Sequence, residues 1–156
     1  HNGKVGTLMS QSEVYSRIYI PREFLIFHPG ANEITQMPTE NFLSSFAPFQ
    51  SGGHISCASP LDETSEFLES SKSYHAETVD IESAKIAEAV SVYNEVHNSD
   101  VKYGAIHYAS DYVGKPDNES RSYNLSNEHD HNPQVWKDAV LSDIFGVIAE
   151  EVKRIV

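Results

Sequence analysis

The chain has 156 residues, 39% of them hydrophobic, and its 23 acidic against 11 basic side chains give a formal charge of −12 with histidine neutral. This length predicts one domain, residues 1–156, and the acidic balance without a basic stripe argues against binding to nucleic acid or to an anionic membrane. No apolar run approaches the roughly 20 residues of a membrane span, and the lone Cys57 fits a reducing compartment, so the expected location is the cytoplasm.

The first half of the chain is predicted to contain short strands and two short helices. Strands are predicted for three segments with alternating or continuous apolar residues, residues 5–20, 24–27 and 54–59. A helix is expected after Thr39, whose hydroxyl can cap residues 42–46. Another is expected after Ser59, because Pro60 suits the first position of a helix.

The second half begins with the clearest helix of the sequence. After Asp80, polar residues recur at spacings of three and four and form one solvated stripe, at Lys85, Glu88, Ser91 and Glu95. The other positions are mainly apolar, so this helix is expected to be mostly buried. A strand over residues 101–109 and a polar loop over residues 114–132 are predicted to follow.

The last helix is expected to begin at Pro133, behind an Asn132 cap. Its apolar residues are expected to be buried, among them Val135, Trp136, Ala139, Val140, Ile144, Phe145, Ile148 and Val152. Because strands and helices alternate along the chain, the predicted fold class is α/β, a layered domain.

Two acidic segments about thirty residues apart are the main functional signal. Residues 79–84 read Val-Asp-Ile-Glu-Ser-Ala at the start of the long helix, and residues 107–112 read His-Tyr-Ala-Ser-Asp-Tyr at a strand end. Each segment can place a carboxylate at the rim of a sheet, where open α/β folds bind ligands. In a simpler interpretation, Asp80 or Glu82 satisfies N–H groups of the first helical turn, and Asp111 is a turn residue.

Four segments resemble the purine nucleoside phosphorylase and nucleosidase superfamily, which includes uridine phosphorylase and methylthioadenosine nucleosidase. They follow the order of that family and comprise residues 4–10, 53–59, 80–84 and 110–112. The Asp-Ile-Glu-Ser-Ala and Ser-Asp motifs are the specific ones. The resemblance implies a nucleoside phosphorylase-like fold of three α/β/α layers with a central mixed sheet. The first part of this fold, with the Gly-rich phosphate loop, is expected upstream of His1.

The resemblance also implies site residues for cleavage of an N-glycosidic bond of a purine nucleoside or nucleotide. Asp111 would share or donate a proton at purine N7, and Glu82 would accept hydrogen bonds from the ribose hydroxyls. Ile81 would pack against the sugar. The other substrate-binding positions would be Ser110, Cys57 and Ala58.

What the resemblance implies beyond the site is a homo-oligomer that acts on a small-molecule nucleoside. No cofactor is implied, and the acceptor would be water in a nucleosidase or phosphate in a phosphorylase. For Asp111 to act as an acid near neutral pH, its pKa must lie well above about 3.9.

Other interpretations of the sequence remain open. Pro60 and Leu61 stand where many relatives place an aromatic that stacks on the base, which favours a catalytically silent nucleoside-binding or oligomerisation module. His129 and His131 could serve a metal-dependent hydrolase, but their spacing lacks the distant partners of zinc motifs, so no metal is expected. Cys57 is expected to be buried and inert.

Overall fold

The computed structural model describes residues 1–45, 49–113 and 133–155. Within them the chain forms six strands and three α-helices, β1 Asn2–Thr7, β2 Ile18–His28, β3 Glu33–Gln36, β4 Gln50–Ser56, α1 Ser65–Ser73, β5 Ala76–Asp80, α2 Ser83–His97, β6 Ile106–Tyr112 and α3 Pro133–Ile155. Single 3₁₀ turns cover Gln11–Glu13, Phe42–Ser45 and Pro60–Asp62.

The strands form one mixed sheet in the order β3-β2-β4-β5-β1-β6. Strands β2, β4 and β5 are parallel, so their carboxyl ends lie at one edge. Strands β1 and β6 are parallel to each other, and β1 is antiparallel to β5. The first residues of β2 pair with β6 as well, so the sheet curls back on itself. The mixed sheet confirms the predicted fold class.

The helices cover both faces of the sheet because β2 is apolar on both sides. Leu25 and Phe27 pack with Phe67 of α1. The alternate residues Phe24 and Ile26 pack with α2 on the opposite face. Such a strand, buried on both faces, is typical of the centre of an α/β sheet. This arrangement confirms the predicted three layers.

The burial predicted for α2 is wrong. Only its first turns rest on the sheet, through buried Ser83, Ala84 and Ala87. Further along, Tyr93 is 50% exposed and Val96 is 71% exposed. The apolar composition of this helix therefore does not indicate burial, because the sheet covers only its first turns.

The burial predicted for α3 is correct for one stripe only. The helix begins at Pro133 as expected, and the predicted residues Val140 and Ile144 form a buried stripe together with Val147, which was not predicted. Trp136 is 64% exposed, Phe145 is 61% exposed and Ala139 is exposed, so their predicted burial is wrong. Phe145 lies on the side of the helix opposite the stripe, whereas Trp136 lies one turn before Val140 on the same side.

Two predicted boundaries also change, and a third is confirmed. The hydroxyl of Thr39 donates to the Ala87 carbonyl instead of capping residues 42–46, of which the structure describes only a 3₁₀ turn at Phe42–Ser45. Strand β6 begins at Ile106 rather than at residue 101. The Ser59 cap is confirmed, because its hydroxyl accepts from the Leu61 N–H.

Among the residues described, no helix combines the length and the apolar composition needed to cross a membrane.

Candidate functional site

The edge where β4 and β5 end is organised around the carboxylate of Asp80, the last residue of β5. This carboxylate accepts hydrogen bonds from Ser56 Oγ at 2.6 Å and from the backbone N–H groups of Glu82 and Ser83 at 3.0 Å each. Ser83 Oγ also donates to it. Asp80 therefore satisfies the first N–H groups of α2, as the simpler interpretation of the sequence proposed for this residue.

The side chain of Glu82 does not cap the helix. Glu82 is the N-cap residue of α2 by position, but its side chain makes no capping hydrogen bond. The side chain is 59% exposed and its carboxylate lies 3.6 Å from His1 Nε2. The preceding Ile81 is 47% exposed. The structure therefore presents Ile81 and Glu82 to solvent at the edge of the sheet, where a ligand can reach them.

Cys57 and Ala58 follow directly after β4 and lie against the end of β5. The Cys57 N–H donates to the Asp80 carbonyl at 2.9 Å, and the Cys57 side chain is fully buried. Burial, reinforced by the charges of Glu63 and Asp62, raises the pKa of the Cys57 thiol to about 12. The thiol is thus inert, as expected, and only Ala58 exposes its side chain.

Lys85 joins the two strand ends, which the sequence did not indicate. Its ammonium donates to the carbonyls of Cys57 at 2.9 Å and Ile81 at 2.8 Å. The spacing of four residues from Ile81 places the two on one face of the helix. Lys85 was predicted as part of a solvated stripe, and it is exposed, but it also holds the segments after β4 and β5 together.

Asp111 takes its position from an irregularity in β6. Val5 pairs with Ala109, whereas the next residue of β1, Gly6, pairs with Asp111, so Ser110 is an extra residue on β6. Such a bulge re-aims the side chain that follows it. A Cβ on Gly6 would lie 3.3 Å from Asp111 Oδ2 and 3.1 Å from Val79 Cγ1.

The bulge thus turns Asp111 to the face of the sheet on which Val79 packs with α1. Ser110, which is buried, donates from Oγ to Asp111 Oδ1 at 2.8 Å. Gly6 pairs with both Val79 and Asp111, so these two residues lie level with each other on either side of β1, about 10 Å apart. Asp111 therefore lies one residue below the edge at which β5 ends.

Glu63 is the acidic residue that the sequence reasoning missed. It follows the 3₁₀ turn Pro60–Asp62, in the segment that leaves β4. Burial, together with the charges of Asp111 and Asp62, raises the pKa of the Glu63 carboxyl to about 7. The sequence contained only a weak signal for this residue, the consecutive acidic residues Asp62 and Glu63 at the end of a capped turn. The structure places this carboxyl close enough to Asp111 for the two charges to repel each other.

Asp111 and Glu82 lie near different residues of β1, Asp111 next to Gly6 and Glu82 near Gly3. Glu82 lies beside His1, whose imidazole folds over Gly3. Gly3 and Gly6 are three residues apart, about 10 Å along a strand, and face opposite sides of it. The charge of Asp111 therefore acts on the Glu63 carboxyl, whereas the Glu82 carboxylate lies beside His1, before the start of β1.

A buried cluster of imidazoles lies behind Asp80. His54 and His107 are both fully buried, with ring centroids 4.7 Å apart. His107 Nε2 shares a hydrogen bond with Ser83 Oγ at 3.1 Å, whereas its Nδ1 has no hydrogen-bond partner among the residues described. The two histidines come from β4 and β6, which are far apart in the sequence, so no local pattern predicts that they meet.

The ligand atoms of His1, Asp80 and His107 lie within 4.8 Å of one another, close enough to consider a cation. The oxygens of Asp80 already accept from Ser56, Ser83 and the first N–H groups of α2. This geometry fits a hydrogen-bonded polar core better than an open cation site. His129 and His131, the other candidate ligands, and the loop over residues 114–132 lie outside the described residues.

We predict that His107 makes the fold sensitive to acid. Burial, reinforced by neighbouring His54, holds the pKa of His107 well below 6.5 although Asp80 opposes this. Below pH 6.5, His107 therefore binds a proton in the unfolded chain but stays neutral in the folded chain. The free energy of unfolding should then fall by about 1.4 kcal/mol for each pH unit below pH 6.5. Chemical denaturation at several pH values measures this slope.

The matched variants for this prediction are His107→Gln and His28→Gln. His28 is exposed at the end of β2, so its replacement should leave the slope unchanged. His107→Gln should remove about one proton from the pH dependence of unfolding. An unaltered slope in His107→Gln would contradict the assignment.

Comparisons with known proteins show that the fold is similar to that of solved nucleosidases. The structure resembles a 5′-methylthioadenosine nucleosidase of Chlamydia trachomatis in complex with methylthioadenosine, with a TM-score of 0.52 and 18% identity, over 94% of this chain and 63% of that one. A methylthioadenosine/S-adenosylhomocysteine nucleosidase matches with a TM-score of 0.55 and 17% identity, over 95% and 60% of the two chains. The chain therefore has the fold of these enzymes, which confirms the resemblance at that level.

Two further proteins are similar to this chain, one in structure and one in sequence. A Borrelia burgdorferi protein assigned as such a nucleosidase, and bound to adenine, has a TM-score of 0.52 and 14% identity over 90% of this chain. Oxidoreductase cns1 of Cordyceps militaris is 26% identical over 121 residues, which are 73% of this chain and 15% of that protein. No family model matches the sequence. The chain thus spans under two thirds of the Chlamydia nucleosidase and a small part of the fungal relative.

Proposed function

We propose that this chain is the catalytic part of an enzyme that cleaves the N-glycosidic bond of a purine nucleoside or nucleotide and releases the free base. The observation that carries the proposal is the Asp111–Glu63 carboxyl pair beside the strand edge of a sheet with the nucleosidase fold. Two carboxyl groups that repel each other retain a proton to higher pH than either would alone. Because the pKa of Glu63 is raised to about 7, this carboxyl can hold a proton near neutral pH, which a departing purine requires.

In the proposed reaction the bond between C1′ of the ribose and the base nitrogen breaks, and its electron pair passes to the purine. The carboxyl pair donates a proton to the base, with Asp111 as the contacting acid and Glu63 as its neighbour. An oxygen of water or phosphate bonds to C1′ from the other side of the ring, and where the acceptor is water its released proton passes to solvent. No cofactor takes part in these steps.

The sugar would be held at the end of β5. Exposed Glu82 is suited to accept hydrogen bonds from the ribose hydroxyls, and Ile81 offers an apolar contact. Since Asp111 and Glu82 face different sides of β1, a nucleoside that contacts both must lie across the edge of the sheet. Ala58 and the backbone of Cys57 flank this edge, and Ser110 orients the Asp111 carboxylate.

The proposal extends to the assembly of the protein. Residues 1–156 would act as one domain in the cytoplasm, within a homo-oligomer, as the family resemblance implies. The exposed apolar residues of α2 and α3 are compatible with such an assembly.

The direct test is release of free base from purine and pyrimidine nucleosides and nucleotides, with and without phosphate, by the full-length protein. Base release from purine substrates supports the proposal, and a requirement for phosphate would identify a phosphorylase. A folded protein that releases no base from any substrate would refute it.

We predict that Glu63→Gln shifts the pH dependence of base release. The substitution removes the carboxyl whose pKa is raised to about 7 and which can share its proton with Asp111, so the loss of activity at alkaline pH should begin at least about one pH unit lower. The kcat/KM profile between pH 5 and 9 measures this shift. Glu66→Gln, three residues further on and exposed in α1, is the control and should leave the profile unchanged.

One observation favours a nucleoside-binding module without catalysis. Leu61, where relatives place a stacking aromatic, is 89% exposed. Such a module would bind nucleosides without releasing the base. Equilibrium binding measured beside base release separates the two functions.

A further inference from the structure

His54 is a buried polar residue to which the proposed reaction assigns no part. It lies in β4 and is fully buried, with its Nδ1 2.8 Å from Thr78 Oγ1. The Phe24 ring and the His107 ring pack beside it, with centroids 6.3 Å and 4.7 Å away. A histidine enclosed in this way has little freedom to rotate.

The other ring nitrogen of His54 faces Asp80. Nε2 lies 2.9 Å from Asp80 Oδ1, an ion-pair distance, although the N–H does not point along the line to the oxygen. Burial alone would raise the pKa of Asp80, but the charge of His54 and hydrogen bonds from Ser56 and Ser83 hold it well below its ordinary value. The Asp80 carboxylate therefore remains ionised in a fixed orientation.

Asp80 in turn fixes the backbone of Glu82. The same Oδ1 atom that faces His54 accepts the Glu82 N–H at 3.0 Å and the Ser83 N–H at 3.0 Å. The side chain of Glu82 makes no capping hydrogen bond, is 59% exposed and ends 3.6 Å from His1, so the turn that Asp80 holds sets the point from which it extends. The contacts thus form a chain from the core of the sheet to the exposed carboxylate.

We propose that His54 is a positioning residue for Glu82, which acts through Asp80 to fix the turn that presents the Glu82 carboxylate to the ribose hydroxyls of the substrate. This role rests on the proposed function. The role of His54 affects recognition of the sugar and not of the base, because Asp80 contacts the segment that carries Glu82. A loss of His54 should therefore weaken recognition of the ribose while recognition of the base persists.

The test compares binding of adenosine, 2′,3′-dideoxyadenosine and adenine by calorimetry, using full-length protein with Asp111→Asn to prevent turnover. Glu82→Gln defines the loss of ribose recognition, as the ratio of the adenosine and dideoxyadenosine affinities. The paired variants are His54→Gln, whose amide can reach the place of Nε2 beside Asp80, and His54→Asn, whose amide reaches only towards Thr78. Thermal unfolding verifies that each variant is folded.

The expected result is a preference for adenosine that falls roughly tenfold in His54→Asn, the scale of a hydrogen bond to a charged group. His54→Gln should retain most of the preference, and adenine should bind all variants alike. If His54→Asn does not fold, Thr78→Val, which frees the imidazole from its anchor, should show a smaller loss in the same direction.

Two other outcomes would overturn the inference in distinguishable ways. Folded His54→Asn or Thr78→Val protein that keeps the full preference for adenosine refutes the role of His54 and leaves the proposed function standing. A reference protein that binds neither adenine nor adenosine refutes both.

Discussion

Asp111→Asn is expected to lower the rate of base release by about 10²–10⁴-fold, the range of a lost general acid. Asparagine has nearly the same shape as aspartate and can still accept the hydrogen bond from Ser110 Oγ, but it cannot supply a proton to the leaving purine. Substrate affinity should change much less than kcat. Single-turnover base release at saturating nucleoside measures the chemical step directly.

The control for this prediction is Asp100→Asn. The Asp100 side chain is 81% exposed and pairs with Lys102 at the surface, so its replacement should leave base release unchanged. Full activity in folded Asp111→Asn protein would contradict the assignment of the acid. Activity lost in Glu63→Gln but kept in Asp111→Asn would transfer the role to Glu63.

The largest effect on stability is expected from Asp80→Ala, which should lower the free energy of unfolding by about 3–5 kcal/mol at pH 7. The substitution leaves buried Ser56 without its hydrogen-bond acceptor and His54 without its ion-pair partner, and it uncaps α2. Because the pKa of Asp80 is lowered on folding, its contribution is present above the unfolded value of 3.8 and is lost as the pH falls towards the folded value. Urea denaturation at pH 7 measures the cost.

Thr64→Ala is the matched control for this stability prediction. Thr64 is the N-cap of α1, where its hydroxyl accepts from the Phe67 N–H at 3.2 Å, and its loss should cost about 1 kcal/mol. The difference between the two variants isolates the buried network around Asp80 from simple capping. Equal costs for Asp80→Ala and Thr64→Ala would contradict the importance of that network.

Several local features could be predicted from the sequence because they depend on near neighbours. The apolar run at residues 24–27 became the doubly buried centre of β2, and Ser59 before Pro60 became a capped turn. Asp80 was recognised as a possible cap of the following helix. Each of these follows from side-chain periodicity or from a hydrogen bond between residues that are three or fewer apart.

Burial of the helices could not be read from their composition. In α2 the apolar residues beyond Ala87 were taken as core, yet Tyr93 and Val96 are largely exposed. An apolar helix face indicates only that its burial would be favourable. How much of that face is buried depends on how far the sheet extends beneath the helix. The same reason explains exposed Trp136 in α3.

By itself the sequence determined the α/β class, the acidic segments at the end of β5 and in β6, and the presence of an aspartate cap. Only the tertiary structure decided which groups share a site. A bulge at Ser110 turns Asp111 to the face of Val79 and Glu63, although strand alternation would place it with His107. His54, Asp80 and His107 meet only because β1, β4, β5 and β6 lie side by side. Such contacts depend on strand register between distant segments, which local patterns do not encode.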